Sequence, residues 1–278
     1  MNSKILKSGH IKLYKRENSK FWQMKIKLPK LKAIRSSTGS KILRDAESIA
    51  LKYYNSISSK TKLSINRTSN IFKKIHLVET ADLTKKEILY ILNESKKYIS
   101  FNKRKIKRIN ILEGRTIFNL FFEDSTRTRT SFEVAAKRLG ADLINVVVKD
   151  SSINKGETLL DTMTTINSMN PDVLIVRHPE EGISKRISET VDASVINAGD
   201  GSHEHPTQAL LDALTIKNKF NNFAKLKIAI CGDILHSRVA RSNIIILSKL
   251  GAKINVIGPK EWLPKNINKL PVSVFTDM

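Results

Sequence analysis

The spacing of apolar and polar positions changes character twice along the chain. In residues 1–57, the runs HIKLYKR, KFWQMKIKLP and KAIRSSTG alternate with the period of half-buried strands. The following LRDAESIALKYYNSI carries Ala46, Ile49, Ala50 and Tyr53 at helical spacing. Three short strands and a helix can bury Trp22 and little else. Residues 58–75, polar and serine-rich, have no period and read as a linker. From His76 the apolar runs strengthen. Thr84 followed by Glu87 has capping-box spacing ahead of Ile88, Leu89, Ile91 and Leu92.

Beyond residue 115 the chain alternates between two kinds of segment. Ile117–Phe122, DLINVVV, DVLIVRHP, SVINAGD, LKIAICGD, AKINVIGP and Val272–Phe275 are short and apolar. Between them lie helical patterns such as TLLDTMTTINSM, EGISKRISETV, HPTQALLDALTIKNKF and HSRVARSNIIILSKLG. Strand and helix in strict turn predict an α/β fold with a parallel sheet covered on both faces. The polar stretch Asn218–Ala224 marks a boundary, giving one α/β domain over 76–220 and a second over 221–278.

Charge sharpens the division. Residues 1–70 hold 17 Lys and Arg against 3 Asp and Glu, which is +14 of the chain's net +23. A basic small unit of this kind suits a phosphate backbone, or is a remnant with no role, while a Lys-, Ile- and Asn-rich genome accounts for part of the excess elsewhere. The basic cluster Lys103–Arg108 lacks interleaved aromatic residues and reads as a solvated turn. The single cysteine, Cys231, excludes an internal disulfide and is expected to be a buried, inert thiol. With no bilayer-length apolar run and no signal-peptide pattern at the N-terminus, the expected location is the cytoplasm.

Candidate chemistry is concentrated where strands end. Ser125, Thr126, Arg127, Thr128 and Arg129 fall between a strand and a helix, where unpaired backbone N–H groups and the helix dipole favour an anion. The forked guanidinium suits two phosphate oxygens. The alternative is that Ser125 or Thr126 merely caps the helix. Arg177 ends another strand in VRHP, and His205 and Gln208 open a helix in NAGDGSHEHPTQ. Arg238 lies in GDILHSRVARS, where Gly232 stands without a GxGxxG and so argues against a dinucleotide.

FxxSTRTRxSFE, HPTQ and KGET followed by LLDT together resemble the aspartate and ornithine carbamoyltransferase family, over residues 76–278. KGET and GDGSHEHPTQ resemble the aspartate enzymes more than the ornithine ones. The resemblance implies carbamoyl transfer from carbamoyl phosphate to L-aspartate, a step of pyrimidine (UMP) biosynthesis that uses no metal, no other cofactor and no covalent intermediate. It implies that Ser125, Thr126, Arg127 and Lys155 neutralise the phosphate. It also implies that Thr128, Arg177 and His205 donate to the carbonyl oxygen, that Gln208 orients the amino group, and that Lys155 and Arg238 meet aspartate. Ser151 and Lys155 would sit on a loop serving a neighbouring subunit of a homotrimer, to which regulatory chains are a further partner in the family. His205 is a poor general base, because an imidazole donating to the carbonyl cannot also accept the amine proton.

Two departures from the family shape the expectations. Residues 1–57 resemble the arm DNA-binding domain of phage-type tyrosine recombinases, so a DNA-binding fusion with a relic enzyme domain is the rival reading. The family continues past the strand at Val272–Phe275 into an Arg-x-Gln loop and a Pro-Leu turn. A C-terminally truncated second domain, with Ile228, Ile230, Ile244, Ile245 and Ile246 poorly covered and turnover weak, is therefore expected.

Overall fold

A computed structural model describes residues 3–6, 10–27, 33–66, 74–147 and 158–277, with the backbone alone for 55–66 and 147. By its internal contacts the chain divides into two units, Met1–Ser69 and Asn70–Met278.

The first unit is an antiparallel meander of β1 (Ser3–Leu6), β2 (Ile11–Tyr14), β3 (Gln23–Ile26) and β4 (Ile34–Ser37), followed by α1 (Leu43–Asn66). Sequence alternation finds β2–β4 but misses β1, whose four residues bury little: Ile5 remains 63% exposed. The core is larger than Trp22 alone. Ile11, Leu13, Met24 and Ile26 point to one face and pack with Ala46 and Ala50 of α1. The small alanines let helix and sheet approach closely, whereas Ile49 and Tyr53, expected on the same stripe, are exposed. Helix α1 runs to Asn66, into the stretch expected to be linker. No Gly or Pro interrupts residues 43–66, so nothing there breaks a helix once α1 is nucleated.

In the second unit, α2 (Lys85–Ile99) starts at the predicted capping box. Thr84 Oγ1 accepts from the Glu87 backbone N–H, and the Glu87 carboxylate accepts from Thr84 N–H at 2.8 Å. The elements β5 (Thr116–Phe121), α3 (Thr126–Leu139), β6 (Asp142–Val147), α4 (Leu159–Ser168), β7 (Val173–His178), α5 (Ile183–Ser188), β8 (Ser194–Asp200) and α6 (Pro206–Phe220) follow. Their strands form a parallel sheet in the order β6-β5-β7-β8. Phe118 and Leu120 of β5 face one core cluster, and Ile117 and Phe121 face another, so the sheet is covered on both sides as predicted.

A second parallel sheet, β9 (Lys227–Cys231), β10 (Lys253–Ile257) and β11 (Val272–Phe275), has the order β11-β10-β9 among the described residues, with α7 (Arg238–Leu250) joining β9 to β10. Its inner face is better covered than expected. Ile244 and Ile246 are fully buried with Leu83, Ile88 and Leu92, while Ile228 and Ile230 pack at the edge of that cluster and Ile245 is half-buried. The reason is that α2 and α6 share this core with α7, so the two sheets are not independently packed domains. Cys231 is exposed, not buried, because it ends β9 on the outer face. Lys103–Arg108 are exposed as expected, with Arg104 stacked over Phe101 at 3.9 Å. No helix among the described residues is long and apolar enough to cross a membrane.

Candidate active site

The strand order places the site. Strand β5 lies between β6 and β7, so the chain leaves β5 toward one side and β7 toward the other, opening a crevice at their carboxyl ends. The loop after β5 carries Ser125–Arg129 into that crevice, and the end of β7 carries Arg177.

A cleft of about 710 Å³ there is lined by Ser125, Arg127, Thr128, Arg177, His205, Gln208 and Arg238, together with Ser131, Phe132 and Thr207. Seven of the residues singled out in the sequence thus come from four separated segments to one cavity. Thr126 does not line it; as the first residue of α3 it is exposed, and what it offers is a helix-terminal N–H. Ser151 and Lys155 lie outside the described residues. The capping alternative for Ser125 fails. Ser125 is the N-cap residue of α3 but makes no side-chain cap bond, so its hydroxyl is not committed to the helix.

The guanidiniums are held by a carboxylate that sequence reasoning missed. Glu123 Oε1 accepts from Arg177 Nη2 at 2.7 Å and from Arg238 Nη1 at 3.0 Å. Arg177 also donates from Nη1 to the Ala198 carbonyl at 3.1 Å, and its Nε is buried without a partner. Burial lowers the Arg177 pKa, against the pull of Glu123. Gly199 makes the arrangement possible: at φ +117° it has no Cβ, and an added Cβ would lie 2.7 Å from Arg238 Nη1 and 2.9 Å from Arg177 Nη1.

His205 is buried at the start of α6, with Pro206 as the first helical residue. Burial, then the positive charges of Arg177 and Arg238, hold its pKa down at about 4. At neutral pH the ring is therefore uncharged, and one nitrogen donates while the other accepts. Thr207 Oγ1 lies 3.4 Å from Nδ1; a proton donated there leaves the ring hydrogen on Nε2.

Behind His205 is a buried network that no local motif announces. Its backbone N–H donates to Ser242 Oγ at 2.9 Å, and Ser242 donates to Glu204 at 3.1 Å. Glu204, 2% exposed, also receives the N–H and hydroxyl of Thr80 at 2.9 and 2.5 Å. Burial raises its carboxyl pKa although these donors oppose the shift. The Thr80 carbonyl in turn accepts from Lys249 Nζ at 3.1 Å. One buried cluster thereby ties the His205 turn to α7, whose first residue is Arg238, and to the turn before α2.

Chemically, this cleft offers three guanidinium cations, hydroxyls and a helix N-terminus around one small space, with a neutral imidazole among them. It fits a small anion bearing a phosphate and a carbonyl. Comparison with known proteins agrees. Residues 75–218 match the family model of the aspartate/ornithine carbamoyltransferase carbamoyl-P binding domain. The aspartate carbamoyltransferase catalytic subunit of Pelagibacter ubique (strain HTCC1062) is 52% identical over 214 residues, 77% of this chain and 68% of that protein. The corresponding subunit of Acidiphilium cryptum (strain JF-5) is 53% identical over 203 residues, 73% of this chain and 65% of that protein. Among solved structures, Trypanosoma cruzi aspartate transcarbamoylase in complex with aspartate and phosphate superposes with a TM-score of 0.65 at 32% identity, covering 72% of this chain and 69% of that one. The catalytic subunit of M. Jannaschii aspartate transcarbamoylase gives a TM-score of 0.64 at 38% identity, covering 73% of this chain and 68% of that one. The chain spans about two thirds of the length of these relatives. Its cleft, its sheet order and its sequence identity together make this chain a member of the aspartate/ornithine carbamoyltransferase family, on the side of the aspartate carbamoyltransferase catalytic chains.

Proposed function

We propose that the cleft binds carbamoyl phosphate and serves transfer of its carbamoyl group to the amine of L-aspartate, a cytoplasmic step of pyrimidine synthesis. The observation that carries the reading is the convergence of Ser125, Arg127, Thr128, Arg177, His205, Gln208 and Arg238 on one cavity. Ser125, Arg127 and the N–H groups opening α3, including that of Thr126, hold the phosphate. Thr128, Arg177 and neutral His205 donate to the carbonyl oxygen, where negative charge grows as the amine attacks and the C–O bond to phosphate breaks. His205 can stabilise that charge without being protonated, since its pKa is held at about 4. Gln208 orients the carbamoyl amino group and Arg238 meets an aspartate carboxylate. Lys155 and Ser151 act from a neighbouring subunit of a homotrimer. An apolar groove beside α2 and α3, with Tyr98, Ile99 and Val134 exposed along it, supports such an assembly. The test is calorimetric titration of carbamoyl phosphate into the wild type and Arg127→Ala. Binding by the wild type that is abolished in the variant is expected; equal affinity in both would remove Arg127 from the phosphate site.

A second reading concerns the first unit alone and rests on its register. Lys12, Lys25 and Arg35 stand directly opposite one another across β2, β3 and β4, on the face away from the core. Like charges so placed destabilise a sheet unless an anion covers them. The three acids of residues 1–70 are Glu17, Asp45 and Glu47, and Glu47 is paired with Lys4 at 2.6 Å. The row supports weak, sequence-tolerant binding of duplex DNA, in keeping with the recombinase-arm resemblance. Three phosphate contacts give about a fortyfold loss of affinity between 50 and 200 mM salt. A Lys12→Ala/Lys25→Ala/Arg35→Ala chain that bound a duplex as well as the wild type at low salt would sink this reading.

A further inference from the structure

Gln208 lines the cleft, but its amide nitrogen is turned away from the ligand space. Nε2 donates to Asp212 Oδ1 at 2.9 Å, one helical turn along α6. The other oxygen, Asp212 Oδ2, accepts from Asn243 Nδ2 on α7 at 2.7 Å. Asp212 is itself half-buried and does not line the cleft.

We infer that Asp212 is a positioning residue that sets the polarity of Gln208 and thereby selects an acyl phosphate bearing N–H over one bearing a methyl group. A glutamine amide can turn either end toward a neutral partner, but an ionised carboxylate only accepts. Gln208 must therefore give Asp212 its NH2 group, which leaves Oε1 as the end not committed to Asp212. An acceptor at that place pairs with the amino group of a carbamoyl ligand and finds no partner on an acetyl one. Asn243 matters because it fixes Asp212 from a second helix; an i,i+4 pair on a free helix surface would hold the carboxylate loosely. The selectivity is the cost of leaving a desolvated acceptor unpaired, of the order of tenfold. The inference rests on the carbamoyl phosphate reading above.

The experiment titrates carbamoyl phosphate, acetyl phosphate and inorganic phosphate into the full chain and into Asp212→Asn. The asparagine keeps the shape but can offer either an oxygen or an NH2 group, so Gln208 is free to turn. The wild type is expected to prefer carbamoyl over acetyl phosphate about tenfold, and Asp212→Asn to lose most of that preference while inorganic phosphate binds both proteins equally. Asp212→Ala, which imposes neither orientation, is expected to do the same and serves if the asparagine variant does not fold. Full preference retained in a folded variant overturns the inference, as does a parallel loss for all three ligands, which marks a merely structural pair. A wild type that binds both acyl phosphates alike also overturns it. A wild type that binds inorganic phosphate but neither acyl phosphate refutes the carbamoyl phosphate reading itself.

Discussion

Gly199→Ala separates strain from function at the centre of the cleft. The residue sits at φ +117°, where an L side chain costs about 1–3 kcal/mol of stability. The new Cβ would also stand 2.7 Å from Arg238 Nη1 and 2.9 Å from Arg177 Nη1, about 0.6–0.8 Å closer than the ~3.5 Å at which such atoms rest. Both contacts are with ends of flexible side chains, so the fold survives and the guanidiniums move. Arg177 then loses its register with the Ala198 carbonyl and with Glu123. One charge-assisted hydrogen bond to the ligand, worth about 1.5–3 kcal/mol, goes with it, which is roughly a tenfold to hundredfold loss of carbamoyl phosphate affinity. The control is Gly232→Ala. Gly232 has nearly the same φ, +115°, and nothing within 4 Å of an added Cβ. Urea unfolding reads the strain and calorimetry reads the binding. Both variants are expected to lose stability, and Gly199→Ala alone to lose the ligand. A folded Gly199→Ala chain binding within twofold of the wild type would refute the idea that backbone clearance at this glycine sets the arginines.

His205 supplies a pH test. Its folded pKa, about 4, lies below the ordinary 6.5, so the unfolded chain binds the proton first; stability is present above pH 6.5 and is lost as pH falls toward 4. Relative to His205→Gln, the wild type should lose about 3 kcal/mol between pH 7 and 4, and an imidazole NMR titration with its midpoint near 6.5 would contradict the argument. At the start of α2, Thr84→Ala removes the cap bond to Glu87 N–H and should cost about 1 kcal/mol in urea unfolding, with Thr84→Ser restoring it; an unchanged midpoint would show that tertiary packing alone fixes that end.

The regular part of the fold was legible because each signal is local. Runs such as DVLIVRHP are apolar on both faces, and both faces of β7 are indeed covered. Thr84 and Glu87 are three residues apart and meet within one turn. The misses are places where burial is decided by a distant partner. Ala46 and Ala50, not Ile49 and Tyr53, face the small sheet, because helix-to-sheet distance favours the small side chains there. The isoleucines of α7 are buried because α2, well over a hundred residues earlier, closes over them. No window of sequence contains both sides of that contact.

The site divides in the same way, and the division has a physical basis. Groups that would touch the ligand lie at strand ends and helix starts, where backbone geometry already favours anions, so short motifs reveal them. The groups that hold those residues in place lie far off: Glu123 meets Arg238 across 115 positions, and Glu204 meets Thr80 across 124. Their identities follow from the cost of what they prevent. Two guanidiniums sharing one cleft repel, and a buried helix start with an unpaired N–H is expensive. Glu123 answers the first and the Ser242–Glu204 pair answers the second. Glu123 also means that an arriving anion does not meet Arg177 and Arg238 bare. From these two it takes over guanidinium bonds that the carboxylate already satisfies, so their share of the Coulomb attraction is exchanged, not gained. Selectivity must then come from the neutral donors and acceptors of the cleft, Thr128, His205 and Gln208, whose bonds have no such competitor at Glu123.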